Sequence, residues 1–352
     1  TAAPSIDGRF YAAAWRYGLD ALEDLADAGH PLTRDRCGVL QLATDDAEAD
    51  RLAAIAARGA LPEPLMFRAT AAESGELAGV AVDRPALYFP QAGWLDPRAL
   101  CRALAHGAEA RLSRAAAGLR RGAGAWDVVD ADDAVIETAD AVVLANAGAA
   151  TGFAATRWLP LGARRGQISQ VAPGAATARL HSVLVYGGYL TPAHRGAHTV
   201  GATFDWTDDD PAAPQAVDDG DHVRNLDDLA RALPQLKLDP VAVTGGRAGV
   251  RCVTPDHLPA AGPVPDDGAF LRDFADLRHG HPWARYPTAT YRPGLHVLCG
   301  LGARGLSTAA LAAEIVACHI TGEPWPVERD LVTALLPGRF LVRDLKRVVE
   351  RI

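Results

Sequence analysis

The stretch Leu295–Ser307, LHVLCGLGARGLS, decides the fold. Its first five residues are an apolar run of strand length. Gly300, Gly302 and Gly305 follow as a literal GxGxxG, and an apolar helical run from Leu306 to Ile320 follows them. Strand, glycine turn and helix make the opening of a dinucleotide-binding unit. Such a unit continues into a second strand that ends in an acidic residue for the ribose. Here the next segment is GEPWPVERD, residues 322–330, with two prolines and no apolar strand. The fingerprint is incomplete, so the glycines are either a plain strand-to-helix turn or a helix start put to another use.

Outward from this stretch, strands and helices alternate at both ends of the chain. Residues 8–29 carry apolar positions at helical spacing. Gly38 to Ala43 reads as a strand, and Thr44 as the cap of a helix to about Arg58. Asp96 before Pro97 is a helix start, with the helix running to about Leu112. WDVVD and AVIET form a strand pair ahead of a buried strand, Ala141 to Ala145, whose continuous apolar run suits a parallel sheet covered on both faces. From Gly162 to Phe204 the signal is β-rich. Residues 221–233 are helical, 241–262 and 295–300 return to strand, and a last amphipathic helix begins near Pro337. The expectation is an α/β plus α+β protein: a Rossmann-like nucleotide-binding domain interleaved with a β-rich domain. The nucleotide-binding part takes 1–36, 96–160 and 291–330, the β-rich part 37–95 and 161–290, and a C-terminal helix 331–352.

With 352 residues and 49% hydrophobic content, the chain can bury two cores. No long uncharged apolar stretch is present, so no membrane partner is expected. Five cysteines at irregular spacing argue against a disulfide framework, and neither they nor the histidines show metal-ligand spacing. No metal is therefore assigned, and a cytoplasmic location is expected. The net charge of −8 is unlike that of a general nucleic-acid binder, although a local basic patch suffices for one. Only Lys237 and Lys346 among the 35 basic residues are lysine. Arg339, Arg343, Arg347 and Arg351 fall four apart on the last helix, as a basic stripe for RNA phosphates or as a solvated face.

A helix start exposes unpaired amides and about half a positive charge. Aimed at the pyrimidine end of a flavin, it would stabilise the negative charge that forms on reduction. The small residues Gly302, Ala303, Gly305 and Ser307 would let the ring approach closely.

Four segments carry a family resemblance: GGYLTPAHRGAHTVGATFDW (187–206), GRAGVRCVTPDHLPAAGPVPD (246–266), DFADLRHGHPWARYP (273–287) and the run from Gly294 to Leu345. They resemble the C-terminal half of the bifunctional tRNA 5-methylaminomethyl-2-thiouridine biosynthesis enzymes, within the D-amino-acid-oxidase-like flavoproteins. The resemblance extends from about Arg9 to Lys346. It implies a glutathione-reductase-like FAD domain and a β-rich substrate domain. It also implies oxidation of 5-carboxymethylaminomethyl-uridine at the tRNA wobble position, giving 5-aminomethyl-uridine and glyoxylate. The implied partners are that tRNA and an N-terminal methyltransferase half that uses S-adenosylmethionine.

Site residues follow from the same resemblance. Arg251 matches a substrate-carboxylate clamp; read alone, it is equally half of an Arg–Asp pair with Asp256. Tyr189 matches a tyrosine near the substrate, or is a half-buried strand tyrosine. Arg304 touches the flavin edge or substrate, or makes a salt bridge. For FAD the resemblance implies Ala145, Asn146, Ala147 and Gly148 beside the pyrophosphate, then Arg164, Gly166 and Gln167. It adds Gly300, Gly302, Ala303, Arg304, Gly305, Leu306 and Ser307 at the ring.

The family's first strand and FAD glycine loop correspond to sequence upstream of Thr1. The chain is therefore expected to be cut from a longer protein, to hold FAD weakly, to be poorly stable alone and to leave a groove beside Ala141 to Ala145. Other readings are a glycine- or sarcosine-type oxidase and an inactive fragment.

Overall fold

The computed structural model describes residues 5–347 apart from 60, 63, 209–212, 280, 282 and 284. Ser5 caps the first helix, Ile6–Asp27, by accepting the Gly8 amide. The helix lays Phe10 and Ala14 against Leu311, Ala312, Ile315 and Val316 of the helix Gly305–Thr321. Those positions recur at three- and four-residue spacing, which puts them on one face of each helix. Full burial of each large side chain stabilises the fold by about 1.5–3 kcal/mol. Leu331, Val332 and Leu335 of Arg329–Leu335 complete this core.

Beside it lies a three-stranded sheet in the order Ala260–Pro265, Tyr291–Cys299, Val142–Leu144, the last two parallel. The expected buried strand at Ala141 to Ala145 is in fact an edge strand. Its outer edge pairs with no strand among the described residues, and Val143 is 38% exposed. That unpaired edge lies where the groove was expected. Ala260–Pro265 also departs from the expected boundaries, because it hydrogen-bonds to Tyr291–Cys299 and not to the strands of the β-rich sheet. A separate meander, Gly118–Arg121, Trp126–Val129 and Val135–Ala139, is tied to this region by Trp126 Nε1 donating to the Pro293 carbonyl at 2.8 Å.

The third sheet has nine strands and draws on both halves of the β-rich segments. Its centre is the ten-residue strand Gly162–Val171. One edge of that strand pairs throughout with Val243–Val253. The other edge meets Asp205–Trp206 opposite Arg164 and Arg165, then His198–Gly201 opposite Ile168 to Val171. The sheet continues through Tyr189–Leu190 and Val183–Val185 to Val39–Leu42, Ala86–Phe89 and Phe67–Ala69. The helix Asp219–Ala232 supplies Leu226 and Leu229 to the core beneath it.

Several boundaries differ from the sequence expectation for local reasons. Asp45, not Thr44, caps the second helix, accepting the Glu48 amide at 2.8 Å. The helix opened by Asp96 and Pro97 ends at Leu104, short of Leu112. A helix at Ala71–Ala78, with Thr70 and Glu73 in a reciprocal capping box, lies in a stretch to which the sequence reading assigned no helix. The C-terminal segment is two helices, Arg329–Leu335 and Arg339–Lys346, with Pro337 between them.

Two buried histidines and a half-buried one set an acid limit on this fold. His198 is bonded by the Thr191 carbonyl and Thr177 Oγ1, while His296 Nδ1 and His319 Nε2 have no hydrogen-bond partner. Burial pushes all three below the ordinary 6.5, and His296 pushes His319 further down. The unfolded chain therefore takes up protons near 6.5 that the folded chain refuses. Stability is intact above that value and falls as pH drops from it toward the depressed folded values. We expect Tm to decline from about pH 7 to about pH 5, and the decline to shrink in a His296→Gln, His319→Gln double variant. A flat Tm over that range in the wild type would contradict the buried, unpartnered placement.

Candidate active site

Alternation along Gly162–Val171 gives the large sheet two different faces. On the covered face, Arg165 pairs with Asp221 and donates to the Ala216 carbonyl. Gln167 donates to the Asp218 carbonyl at 2.7 Å and accepts the Asp218 amide at 2.8 Å. Ser169 Oγ lies 2.7 Å from His222 Nδ1. The side-chain amide of Gln167 is thus spent inside the protein. The sequence reading set it beside FAD; the side chain is instead fully buried on the covered face, where it locks the helix Asp219–Ala232 to the sheet.

The opposite face carries Arg164, Gly166, Ile168 and, directly across from Arg164, Arg251. The Arg251 guanidinium lies over Gly166. A Cβ on Gly166 would fall 1.6 Å from Arg251 Nη1 and 2.5 Å from the Thr203 carbonyl oxygen. Only a glycine leaves that slot. Among the described residues Arg251 makes one long hydrogen bond, 3.4 Å to the Thr203 carbonyl, and its Cζ stands 5.6 Å from the Phe204 ring centre. Burial pulls the guanidinium below its ordinary value, and Tyr189 acts in the opposite sense. Burial likewise raises the Tyr189 phenol while Arg251 opposes it, so the two side chains sense each other across this face. Next to Tyr189, the position of a Gly201 Cβ would be 3.1 Å from the tyrosine hydroxyl and 2.9 Å from Ile168 Cγ2.

The Arg251–Asp256 pair is not formed. Asp256 accepts two bonds from Arg339, at 2.7 and 3.0 Å, and Arg339 also donates to the Leu258 carbonyl. Burial alone would raise the Asp256 carboxyl, yet the Arg339 bonds hold it below its ordinary 3.8. This also dissolves the basic stripe. Arg339 points inward, Arg343 bonds to Asp344, Arg347 lies past the helix end, and Arg351 is outside the described residues.

The glycine turn sits against the strand that bears Arg251. The Gly302 amide donates to the Cys252 carbonyl at 2.9 Å, and Leu301 forms a β-bridge with Val253. Gly300 and Gly302 have φ of 73° and 58°, and a Cβ on Gly300 would be 2.4 Å from Thr254 Cγ2. No side chain caps the helix that starts at Gly305, and Leu306 in its first turn is 53% exposed. Arg304 makes no ion pair among the described residues; its Cζ lies 4.5 Å above the Tyr11 ring. Ala145, Asn146 and Ala147 are exposed at the end of Val142–Leu144, with Gly148 half-buried after them, and Ala147 has φ 53°. Since Leu144 pairs with Val297, this turn and the glycine turn sit together at the C-terminal ends of two parallel strands. That is the crevice where open α/β sheets receive nucleotides. An uncapped helix start and a side-chain-poor turn fit the anionic edge of a flavin.

The sequence reading missed the Asp256–Arg339 pair and the rings of Phe204 and Trp206, which stand next to Arg251 and Arg164. The GATFDW segment contains both rings, but nothing in it says which face they take. Glu314, Cys318 and Glu323 bring ligand atoms within 4.8 Å of one another, a grouping invisible in their spacing.

Nucleotide crevice and β-rich face together define a flavoprotein oxidoreductase architecture. Residues 3–319 match the family described as DAO, FAD dependent oxidoreductase, and the chain belongs to that family. FAD is its cofactor, as the sequence led one to expect. The chain is 41% identical over 97% of its length to the tRNA 5-methylaminomethyl-2-thiouridine biosynthesis bifunctional protein MnmC of Methylobacillus flagellatus, covering 52% of that protein. It is 39% identical, over 97% of its length and 49% of the relative, to the protein of the same name from Chromohalobacter salexigens. The chain thus spans about half the length of these curated relatives. Iminodiacetate oxidase from Chelativorans sp. BNC1 superposes with a TM-score of 0.71 at 23% identity, covering 93% of this chain and 84% of that one. Glycine oxidase from Geobacillus kaustophilus gives 0.69 at 22%, covering 94% and 82%. At those identities the likeness establishes the fold.

Arg339 is the internal partner of Asp256. Arg339→Ala should lower stability by about 1.5–3 kcal/mol, the range for losing hydrogen bonds to a charged group. Denaturant unfolding checks this; an unchanged midpoint would show that the pair is dispensable.

Proposed function

We propose that the chain oxidises the carboxymethylamino arm of 5-carboxymethylaminomethyl-(2-thio)uridine at the tRNA wobble position. The observation that carries this reading is Arg251, a half-buried guanidinium with no carboxylate partner among the described residues. A desolvated charge is costly unless it is paired. A substrate carboxylate supplies the partner, and the guanidinium fork matches it with two parallel bonds. Tyr189, on the same face, offers a hydroxyl to the carboxylate or amine. The relatives' names support tRNA as the substrate and a second activity in the longer protein; the proposed covalent partner is a methyltransferase half that uses S-adenosylmethionine. Among the described residues no helix is long and apolar enough to cross a membrane, and the cytoplasm is the proposed location.

FAD, when bound, supplies the two-electron acceptor. The overall change is R–NH–CH2–COO⁻ plus FAD plus water giving R–NH2, glyoxylate and FADH2. The chain's own task is positional. Arg251 fixes the carboxylate, and the strand Val243–Val253 holds Arg251 beside the Gly300–Gly305 turn through the Gly302–Cys252 bond. This alignment presents the carbon between amine and carboxylate to the acceptor. Ala145, Asn146, Ala147 and Gly148 are the proposed pyrophosphate contacts. Gly300, Gly302, Ala303, Gly305, Leu306 and Ser307 are the proposed contacts at the flavin ring, with Arg304 at its rim. We assign the large sheet to substrate and the three-stranded sheet with its helices to FAD.

Arg251→Ala should cost about 2–5 kcal/mol in kcat/KM, the penalty for truncating a buried charge pair. Arg251→Lys should recover part of it, because an ammonium cannot replace the fork. Gly166→Ala should raise KM by displacing the guanidinium and also lower Tm, because its Cβ would meet the Thr203 carbonyl oxygen at 2.5 Å. Assays of glyoxylate released from carboxymethylaminomethyl-tRNA test all three. Normal turnover by Arg251→Ala would remove the clamp, and efficient oxidation of free sarcosine with none of tRNA would replace the reading by an amino-acid oxidase.

A further inference from the structure

Beyond Arg251 the open face continues as an alternation of guanidinium and aromatic ring. Arg251 Cζ is 5.6 Å from the Phe204 ring centre, and Arg164 Cζ is 5.2 Å from the same ring on its way to Trp206. Arg164 then lies 3.2 Å above the Trp206 ring centre. Strand pairing fixes this order, because Trp206 and Arg251 flank Arg164 in register from its two sides. The Trp206 ring needs Gly162: a Cβ there would fall 2.7 Å from Trp206 Cζ3. Phe204 is 45% exposed and Trp206 67%, while Arg164 Nε is buried with no partner. Asp205, between the rings in sequence, is taken by Arg224 at 2.8 and 3.0 Å, and among the described residues Arg164 has no carboxylate partner.

An isolated exposed aromatic residue needs no explanation. Two rings in line with a carboxylate clamp, each beside a guanidinium, are a different case. A small amino acid would be held by Arg251 alone and has nothing to place on them. We propose that Phe204 and Trp206, backed by Arg164, form the specificity subsite for a planar pyrimidine base attached to the substrate amine. The inference rests on the tRNA reading above and assigns the residues that would distinguish a base-bearing N-alkylglycine from a free one. Aromatic and guanidinium faces both accept a stacked base without reading its edges. The subsite therefore selects for an aromatic substituent and leaves the identity of neighbouring nucleotides open.

The test uses the full-length, FAD-loaded protein and two small probes, 5-carboxymethylaminomethyl-uracil and N-methylglycine. The first readout is the ratio of their kcat/KM values. The second, by calorimetry, is the affinity for 5-aminomethyl-uracil, which carries the base but no carboxylate. In Trp206→Ala we expect the ratio and the affinity each to fall roughly tenfold or more. Trp206→Phe should restore most of both, and Phe204→Leu should lower both while flavin content holds. A wild-type preference for the base-bearing probe that survives Trp206→Ala and Phe204→Leu overturns the subsite alone. A wild type without that preference overturns the tRNA reading and the subsite with it.

Discussion

The site depends on one steric constraint: Gly166 has no side chain, and the Arg251 guanidinium occupies the space. The constraint is created by register. Gly162–Val171 and Val243–Val253 pair so that Arg251 faces Arg164 and Gly249 faces Gly166. A slip of one residue would send Arg251 to the face occupied by Arg165, Gln167 and Ser169. Those three tie Gly162–Val171 to the helix Asp219–Ala232 or to the loop just before it, while the Gly302–Cys252 bond and the Leu301–Val253 bridge hold the end of the Arg251 strand.

The second requirement is that Arg251 should not be neutralised from within. Asp256, five residues on, is the obvious internal counter-ion. Arg339 removes it from contention with two bonds, anchored from a helix more than eighty residues away in sequence. Among the described residues Arg251 is left with a single long bond to a backbone carbonyl. The same strand carries the Cys252 carbonyl that receives Gly302, so clamp and glycine turn are coupled through adjacent residues. On the proposed role of Arg251, a substrate carboxylate would be held at a set distance from the helix start.

Much of the fold was legible because its signals are local. Asp96 with Pro97, the alternation in WDVVD and AVIET, and the apolar run into the Gly300 turn each determine their element over a few residues. Elements that depend on distant partners were less legible. The apolar run at Ala141 to Ala145 reads as a covered strand, but whether a strand covers it is decided elsewhere, and it is an edge. Proximity in the candidate site was likewise hidden. Arg251 and Tyr189 could be named from family resemblance, whereas the fate of Asp256 depended on Arg339, a residue whose spacing suggested a solvent-facing stripe. Gln167 sits beside useful residues in sequence yet faces away from them, because strand neighbours alternate. Phe204 and Trp206 went unnoticed for the converse reason: their role is visible only once two arginines from different strands stand beside them.

The account stands on Arg251 being the carboxylate anchor. The most direct measurement is a crystal structure of the FAD-loaded protein with a slowly oxidised N-substituted glycine. The account predicts the ligand carboxylate in two parallel bonds to the Arg251 guanidinium, at about 2.7–2.9 Å, with the carbon between amine and carboxylate facing the flavin beside the Gly300–Gly305 turn. A carboxylate bound instead to Arg304 or Arg164, with Arg251 still bonded only to the Thr203 carbonyl, would contradict it.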